Sequence, residues 1–600
     1  MSIRIALPVT SLLIALLGAA CVAQEPVIWQ VGTPDGSGAE FGLYGKWDRY
    51  KQDGPGGLVT YRPGQSDPAK NWYYVQPGPK DQSWAGEGDH RYEVVFDLAD
   101  KPSGPYVIKL DILGTSATNP PVLKIGVNDH VELIPLKPGT SDSPTAEAGQ
   151  ERQTVTMYVA GGWLNKGGNC IYFTVQDGSW LTWDSASFAK CTALPRLIRN
   201  LKLAPTCLFK GPEKRLRQVV RVSMDLYDEQ SALNAEISTE KGWRVERKLD
   251  DVSSGSPTFD MEVPEVAAAQ KVRLKITAGG EIDECEAELR PGRHWKIYML
   301  PTSHFDYGYH QTQDGAAKIH RDNIDDAMDY CTTYPGFKWD LESAFMAEDY
   351  LANGSRPEEF LRLAKQGRIG VLGLYTNTLT GICTSEGFSH VLDYYDYLRH
   401  SYGIGSKCAM ENDIASMVAT TPMILREHGI KYLSHGVNTV RAKGNDETAH
   451  TPFYWEAPDG SKVLTWEIVG NYAEAGEITE LDDTGNMPSA KIRVQSIISD
   501  YEHRADYPFD AILMHGGYGD NWPIGRGLAR VPDEWNKTYT YPKIIFSNGP
   551  EFFQYVESKF GADITTRKGD CGVWWEDGVG SSARETGLNR VAEERLVTAQ

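Results

Sequence analysis

The pattern of the chain changes at Trp295, and that change limits what it can fold into. Before it, short β-type runs follow one another between Gly, Pro, Asp and Asn turns; after it, strand-like runs alternate with helical ones. Residues 24–206 hold the runs 92–96, 106–110, 122–125, 154–158 and 170–174. No helical periodicity separates these runs, which predicts a β-sandwich. Residues 207–292 give a smaller β pattern, with runs at 219–223 and 272–276, read as an immunoglobulin-like spacer without chemistry. Beyond Trp295, Ile324, Ala327, Met328 and Cys331 recur at i, i+3, i+4 and i+7, as do Phe388, Val391, Leu392 and Tyr395, the spacing of a buried helix face. Between such segments lie the runs 337–339, 369–372, 430–433, 462–466, 511–514 and 543–546. Repeated β then α predicts a parallel sheet with helices outside it, either a barrel or a doubly wound sheet. In both, chemistry sits at the carboxyl ends of the strands.

The first residues read as an export signal, 1–23: Arg4, an apolar run over 5–17, then Gly18, Ala19, Ala20 and Cys21-Val22-Ala23. Cleavage after Ala23 predicts a secreted or periplasmic protein, and lipidation of Cys21 is the minority alternative. No other stretch approaches the roughly 20 apolar residues that span a bilayer. A net charge of -21 argues against nucleic acid or an anionic membrane as partner. With 16 Trp and 30 Tyr, a carbohydrate partner fits better, because sugar C–H faces stack on aromatic rings. Eight cysteines follow Cys21, none at CxxC spacing, so a structural zinc knuckle is not expected. Cys170 and Cys191 are the nearest pair for a disulfide, against free buried thiols.

The run 296–301 ends in His304-Phe305-Asp306-Tyr307-Gly308-Tyr309. An imidazole and a carboxylate two residues apart in a loop after a strand can converge on one divalent cation. Asp413, within 409–415, reads as a catalytic carboxylate or as a helix N-cap. Asp520, beside Gly516, Gly517 and Gly519, reads as catalytic or as a turn former. A glycosidase needs one carboxylate to attack or support the anomeric carbon and another to protonate the leaving oxygen. His310 and His515 are candidate substrate contacts, or solvated loop histidines. Glu342, Glu348 and Asp349 read as solvated charge on a helix face. Trp180 and Trp183 are candidate sugar-stacking residues, or core packing.

Two resemblances follow from these residues. The opening Val27-Ile-Trp29 through Asp35-Gly36 and the closing Ser179-Trp180 through Trp183-Asp184 resemble the carbohydrate-binding domain of rhamnogalacturonan lyases. The segment from about 296 onward resembles the catalytic region of glycoside hydrolase family 38, the α-mannosidases. It does so through Ser303-His304-Phe-Asp306-Tyr-Gly308-Tyr309, Gly367-Arg-Ile-Gly-Val-Leu372, Asn412-Asp413, Tyr518-Gly519-Asp520 and Trp575-Glu-Asp-Gly578. That resemblance implies a (β/α)7-type barrel over 293–560, followed over 561–600 by the start of a helical bundle. It also implies Zn2+ held by His304, Asp306 and Asp413, with Asp413 doubling as nucleophile and Asp520 as general acid/base. Tyr309 stands where the family usually has Trp, in the sugar pocket. The family's fourth zinc ligand is a histidine beyond the helices, and the sequence stops inside a helical segment starting near Ser581; further residues are expected to supply it, or His515 does. A metal-dependent polysaccharide deacetylase and a noncatalytic glycan-binding protein are the alternative functions. The sugar, the linkage and the oligomeric state are not given by the sequence.

Overall fold

The computed structural model describes residues 26–599 apart from 146–150, 241, 309, 415, 439–448, 471, 480–484, 517–518 and 574. The expected export signal and Tyr309 lie outside the described residues. The chain divides into two compact units: residues 1–204, 221–261 and 271–288 make the first, and 205–220, 262–270 and 289–600 the second. The segment expected to be a separate spacer, 207–292, is therefore shared between them. Its strands form one three-stranded and one four-stranded sheet.

In the first unit, one five-stranded sheet runs Val27–Gly32, Leu181–Lys190, Pro105–Thr115, Gln153–Ala160, with Val75–Gln76 pairing Leu181–Lys190. The other runs Leu58–Tyr61, Arg91–Leu98, Gly167–Asp177, Val122–Val127, His130–Pro135. Along Arg91–Leu98, Tyr92, Val94 and Phe96 are buried and their neighbours are not, the period of two that lets a strand put one face into a core. Residues of both sheets share one hydrophobic cluster, as the β-sandwich expectation requires. The opening and closing motifs are neighbours: Gly32 pairs with Ser185, and the Gly36 and Ser37 amides donate to the Asp184 carboxylate. Trp180 and Trp183 are 1% and 0% exposed. Trp183 packs edge-on against Trp72 and Phe173, so neither ring has a face free for a sugar, and the core-packing alternative is the one that fits. All eight described cysteines are free thiols, and no bridge joins Cys170 to Cys191.

In the second unit, parallel strands are β1 (Lys296–Leu300), β2 (Trp339–Leu341), β3 (Ile369–Val371), β4 (Cys408–Asp413), β5 (Tyr432–Val437), β6 (Lys462–Val469), β7 (Ala511–His515) and β8 (Lys543–Phe546). Their ladders make three groups, β7-β1-β8, β2-β3 and β4-β5-β6. A few backbone bonds link the groups, from the Asp340 amide to the Pro301 carbonyl, from Gly373 to Cys408 and from Ser406 to Val371. The ladders thus show the predicted parallel β/α alternation, while a closed seven-stranded ring is not drawn by them. Helices fill the connections: Gln313–Thr333 follows β1, Thr421–Glu427 follows β4, Met487–Glu502 precedes β7 and Gly527–Thr538 follows it. The Thr312 hydroxyl accepts from the Gly315 amide and caps Gln313–Thr333. That helix buries Ile324, Ala327, Met328 and Cys331, as the spacing predicts. The spacing from Phe388 to Tyr395 instead falls on two helices, Ser385–His390 and Asp393–Tyr402, broken at Val391 and Leu392. The apolar face is nevertheless kept, with Phe388, Leu392 and Tyr395 buried, because burial follows the residue pattern more closely than helix continuity does. The last described residues form a 3-10 helix, Trp575–Ser582, and an α-helix, Ala583–Ala599. No described helix is long and apolar enough to cross a membrane.

Candidate active site

Four carboxylates and an imidazole meet at the carboxyl ends of the parallel strands. His304 follows β1, Glu342 follows β2, Asp413 ends β4 and Asp520 follows β7. His304 is buried, and its Nδ1 donates to the Glu342 carboxylate at 2.9 Å. The Asn377 amide donates to the same carboxylate at 2.6 Å. Burial alone would raise the Glu342 pKa, but the neighbouring His304 and these amide donors bring it below the ordinary carboxylate range. Burial alone would likewise lower His304, yet Glu342 and Asp306 drive it well above its ordinary value. Glu342 was expected to be solvated charge and is instead 1% exposed at the centre of the site.

With Nδ1 committed to Glu342, the His304 Nε2 is the free ligand atom. It lies 3.3 Å from an Asp306 carboxylate oxygen. His304, Asp306 and Asp413 place one donor atom each within 4.8 Å of one another. A buried imidazole nitrogen close to carboxylates suits a divalent cation. Among the described residues this cluster holds three donors, and no fourth joins it.

Two further residues fix the loops. Asn521, next to Asp520, donates from its backbone to the His304 carbonyl and from its side chain to the Asp306 carbonyl, while its side-chain oxygen accepts from the Asp306 amide. The buried His320 donates to that same oxygen. Tyr472, after β6, places its hydroxyl 3.2 Å from Asp413 and 3.0 Å from Asp520. Asn438 also donates to Asp413, at 2.6 Å. Asp413 itself sits at φ 68°, left-handed backbone that a non-glycine residue adopts only where its surroundings hold it there. Burial lifts the Asp520 carboxyl above the ordinary range.

Among the described glycines after β7, Gly516 is where the chain packs most tightly against another loop. Gly516 is at φ +68°, and a Cβ on it would lie 2.0 Å from the Tyr472 carbonyl oxygen. The close approach is between two loops of the site.

Of the other expected contacts, His515 is fully buried at the end of β7, bonded to the Ser434 hydroxyl, and burial brings its pKa down to about 3. A neutral, enclosed imidazole touches no substrate, and it does not join the metal-type cluster. His310 is exposed at φ 61° and does not line the cavity. That cavity, about 210 Å3, is lined by His304, Asp306, Tyr307, Glu342, Asn377 and Asp413 among others. Tyr307 lines it and stays half exposed, and Trp522, next to Asn521, is exposed with its carbonyl held by Ser303 and Asn323. Glu342, Asn377, Asn438, Tyr472 and Asn521 were not singled out in the sequence as site residues; only for Asn521, adjacent to Asp520 in the glycine-rich loop, was there a local signal.

Residues 294–576 match the family model for the glycosyl hydrolases family 38 N-terminal domain. Over this segment the chain is similar to family 38 N-terminal domains. Residues 27–188 match a carbohydrate-binding-module-like model, polysaccharide lyase family 4, domain III. A curated relative named putative mannosylglycerate hydrolase, from Halalkalibacterium halodurans, is 24% identical over 223 residues, 33% of this chain and 23% of its own length. Among solved structures, an α-mannosidase from Enterococcus faecalis V583 is 17% identical at TM-score 0.39, covering 46% of this chain and 31% of that one. A 4-α-glucanotransferase from Thermococcus litoralis is 15% identical at TM-score 0.32, covering 45% and 41%. The chain therefore spans under a third of the curated relative and of that α-mannosidase. His304, Asp306, Asp413 and Asp520 all fall inside the family 38 match.

Proposed function

We propose that this chain is an exported, zinc-dependent retaining glycosidase of the α-mannosidase type, acting on an oligosaccharide or polysaccharide. The observation that carries the reading is the Tyr472 hydroxyl shared by Asp413 and Asp520. One hydroxyl proton cannot serve two carboxylates. Asp413 already accepts from Asn438. Asp520 is raised by burial, which favours its protonated form, and the Tyr472 hydroxyl lies within hydrogen-bond reach of both carboxylates. The asymmetry suits a nucleophile and an acid. The shared hydroxyl keeps the two carboxylate oxygens within about 6 Å of each other, close to the ~5–5.5 Å spacing of retaining pairs.

In the first step an Asp413 oxygen bonds the anomeric carbon, the glycosidic C–O bond breaks, and the leaving oxygen takes the Asp520 proton. In the second, Asp520 accepts a proton from water as that water displaces Asp413. His304, Asp306 and Asp413 would hold the zinc, which would supply Lewis-acid orientation of sugar hydroxyls. Exposed Tyr307 and Trp522 offer ring faces for sugar stacking, and the small cavity fits recognition of a single ring.

The test is release of sugar from aryl α-mannosides and mannosylglycerate by the purified chain with zinc, together with labelling of Asp413 by a mechanism-based fluoroglycoside. Release abolished in Asp413→Asn supports the reading. No release from any α-mannoside, with glycan still retained on an affinity gel, would favour the noncatalytic alternative; acetate released from an acetylated glycan would favour the deacetylase.

A further inference from the structure

A second set of ligating side chains is buried on the opposite face of the strands that carry Asp413. A Cβ on Gly436 would meet the Asn412 side chain and Tyr472, so Asn412 and Gly436 face the candidate active site. Strand side chains alternate, and their neighbours Glu411 and His435 therefore face away from it. Glu411 on β4 is the register partner of His435 on β5, and His435 that of Glu467 on β6. The three stand in one row across the ladder. All are 0% exposed, as is Cys571, which begins the short strand Cys571–Val573.

The Cys571 Sγ lies 3.7 Å from the His435 Nδ1 and 3.6 Å from a Glu467 carboxylate oxygen. One ligand atom from each of the three lies within 4.8 Å of the others. Around a tetrahedral zinc, with bonds of about 2.3 Å to sulfur and 2.0–2.1 Å to nitrogen or oxygen, neighbouring ligand atoms stand about 3.5 Å apart. The observed separations are of that size before any ion is placed. Charge points the same way. Arg567 lies 3.5 Å from Glu467 and 3.7 Å from the Cys571 sulfur. With Glu411 and Glu467 ionised and Cys571 a thiolate, a divalent cation together with Arg567 brings the buried group to neutrality, which burial in low dielectric demands.

We propose that His435, Glu467 and Cys571 form a second, structural site for a zinc-class cation, one that ties the Cys571–Val573 strand to β5 and β6. Its donor set contains a thiol and the candidate active site's does not. Without an ion, burial holds that thiol protonated, so loading replaces the S–H bond by a metal–sulfur bond and releases a proton.

The experiment is cobalt loading of the metal-free full chain, read by absorption. A thiolate-to-cobalt charge-transfer band is expected in the wild type and in His304→Ala, and not in Cys571→Ser; His435→Gln should weaken it. No such band in the loaded wild type, or a band that survives in Cys571→Ser, overturns the proposal. As a check that needs no substitution, zinc should slow alkylation of Cys571 in the wild-type chain under mild urea, mapped by mass spectrometry; unchanged alkylation counts against the site. None of these readouts depends on glycosidase activity, so failure of this site and failure of the catalytic reading are told apart.

Discussion

Burial raises the Asp520 carboxyl, and the Tyr472 hydroxyl lies 3.0 Å from it. A general acid with a raised pKa keeps its proton to higher pH, so kcat is lost only as pH rises through that value. Replacing it with Asn should lower kcat by roughly 10²–10⁴-fold on substrates with poor leaving groups. The same change should flatten the alkaline limb of the pH profile and spare aryl substrates whose leaving oxygen needs no proton; a steep alkaline limb in Asp520→Asn would contradict the assignment. At His304 the governing contact is Glu342, which fixes the imidazole through Nδ1 and leaves Nε2 turned to Asp306. Glu342→Gln should weaken zinc binding by about 10–100-fold, measured by competition with a chelator, with the fold intact by circular dichroism. That glutamate was unreadable from sequence, since the residues that make it functional, His304 and Asn377, are brought to it only by the fold. His304, Asp306 and Asp413, which local order and collinearity with a known pattern single out in the sequence, are brought together by the fold.

At the scale of elements, the loops after β6 and β7 meet at Gly516, where a Cβ has no room and the backbone is left-handed. Gly516→Ala should cost about 1–3 kcal/mol of stability, read by urea unfolding. It should also lower kcat beyond what the unfolded fraction explains, because it displaces Tyr472. Strands and helices of this unit were largely legible, since period-two and 3.6-residue patterns are local. The break at Val391 and Leu392 was not, because a bend that keeps Phe388, Leu392 and Tyr395 buried leaves the apolar spacing unchanged. The tryptophans of the sandwich erred in the other direction: Trp180 and Trp183 look like a sugar platform in sequence, and only the second sheet packed over them makes them core.

For the whole molecule, pH enters through Asp340 on β2. It is 0% exposed, accepts from the Gly549 amide, and burial pushes its pKa up to about 7. The unfolded carboxyl titrates near 4. Between roughly pH 4 and 7 the folded chain therefore holds a proton that the unfolded chain has lost, so this group's contribution is complete below about pH 4 and disappears as pH rises through 7. Melting followed from pH 5 to 8 should show the loss in wild type and a shallower slope in Asp340→Asn. Equal slopes would mean that the carboxyl is not protonated in the folded state.

The asparagine that fastens the first loop comes late in the chain. Asn521 stands 215 positions after Asp306, and it belongs to the loop that presents Asp520. During synthesis, the first metal-binding pair therefore leaves the ribosome long before the group that arranges it. A chain truncated ahead of β7 should therefore leave the loop of His304 and Asp306 without its fastening, and should take up a divalent cation more weakly than the full chain in a competition with a chelator.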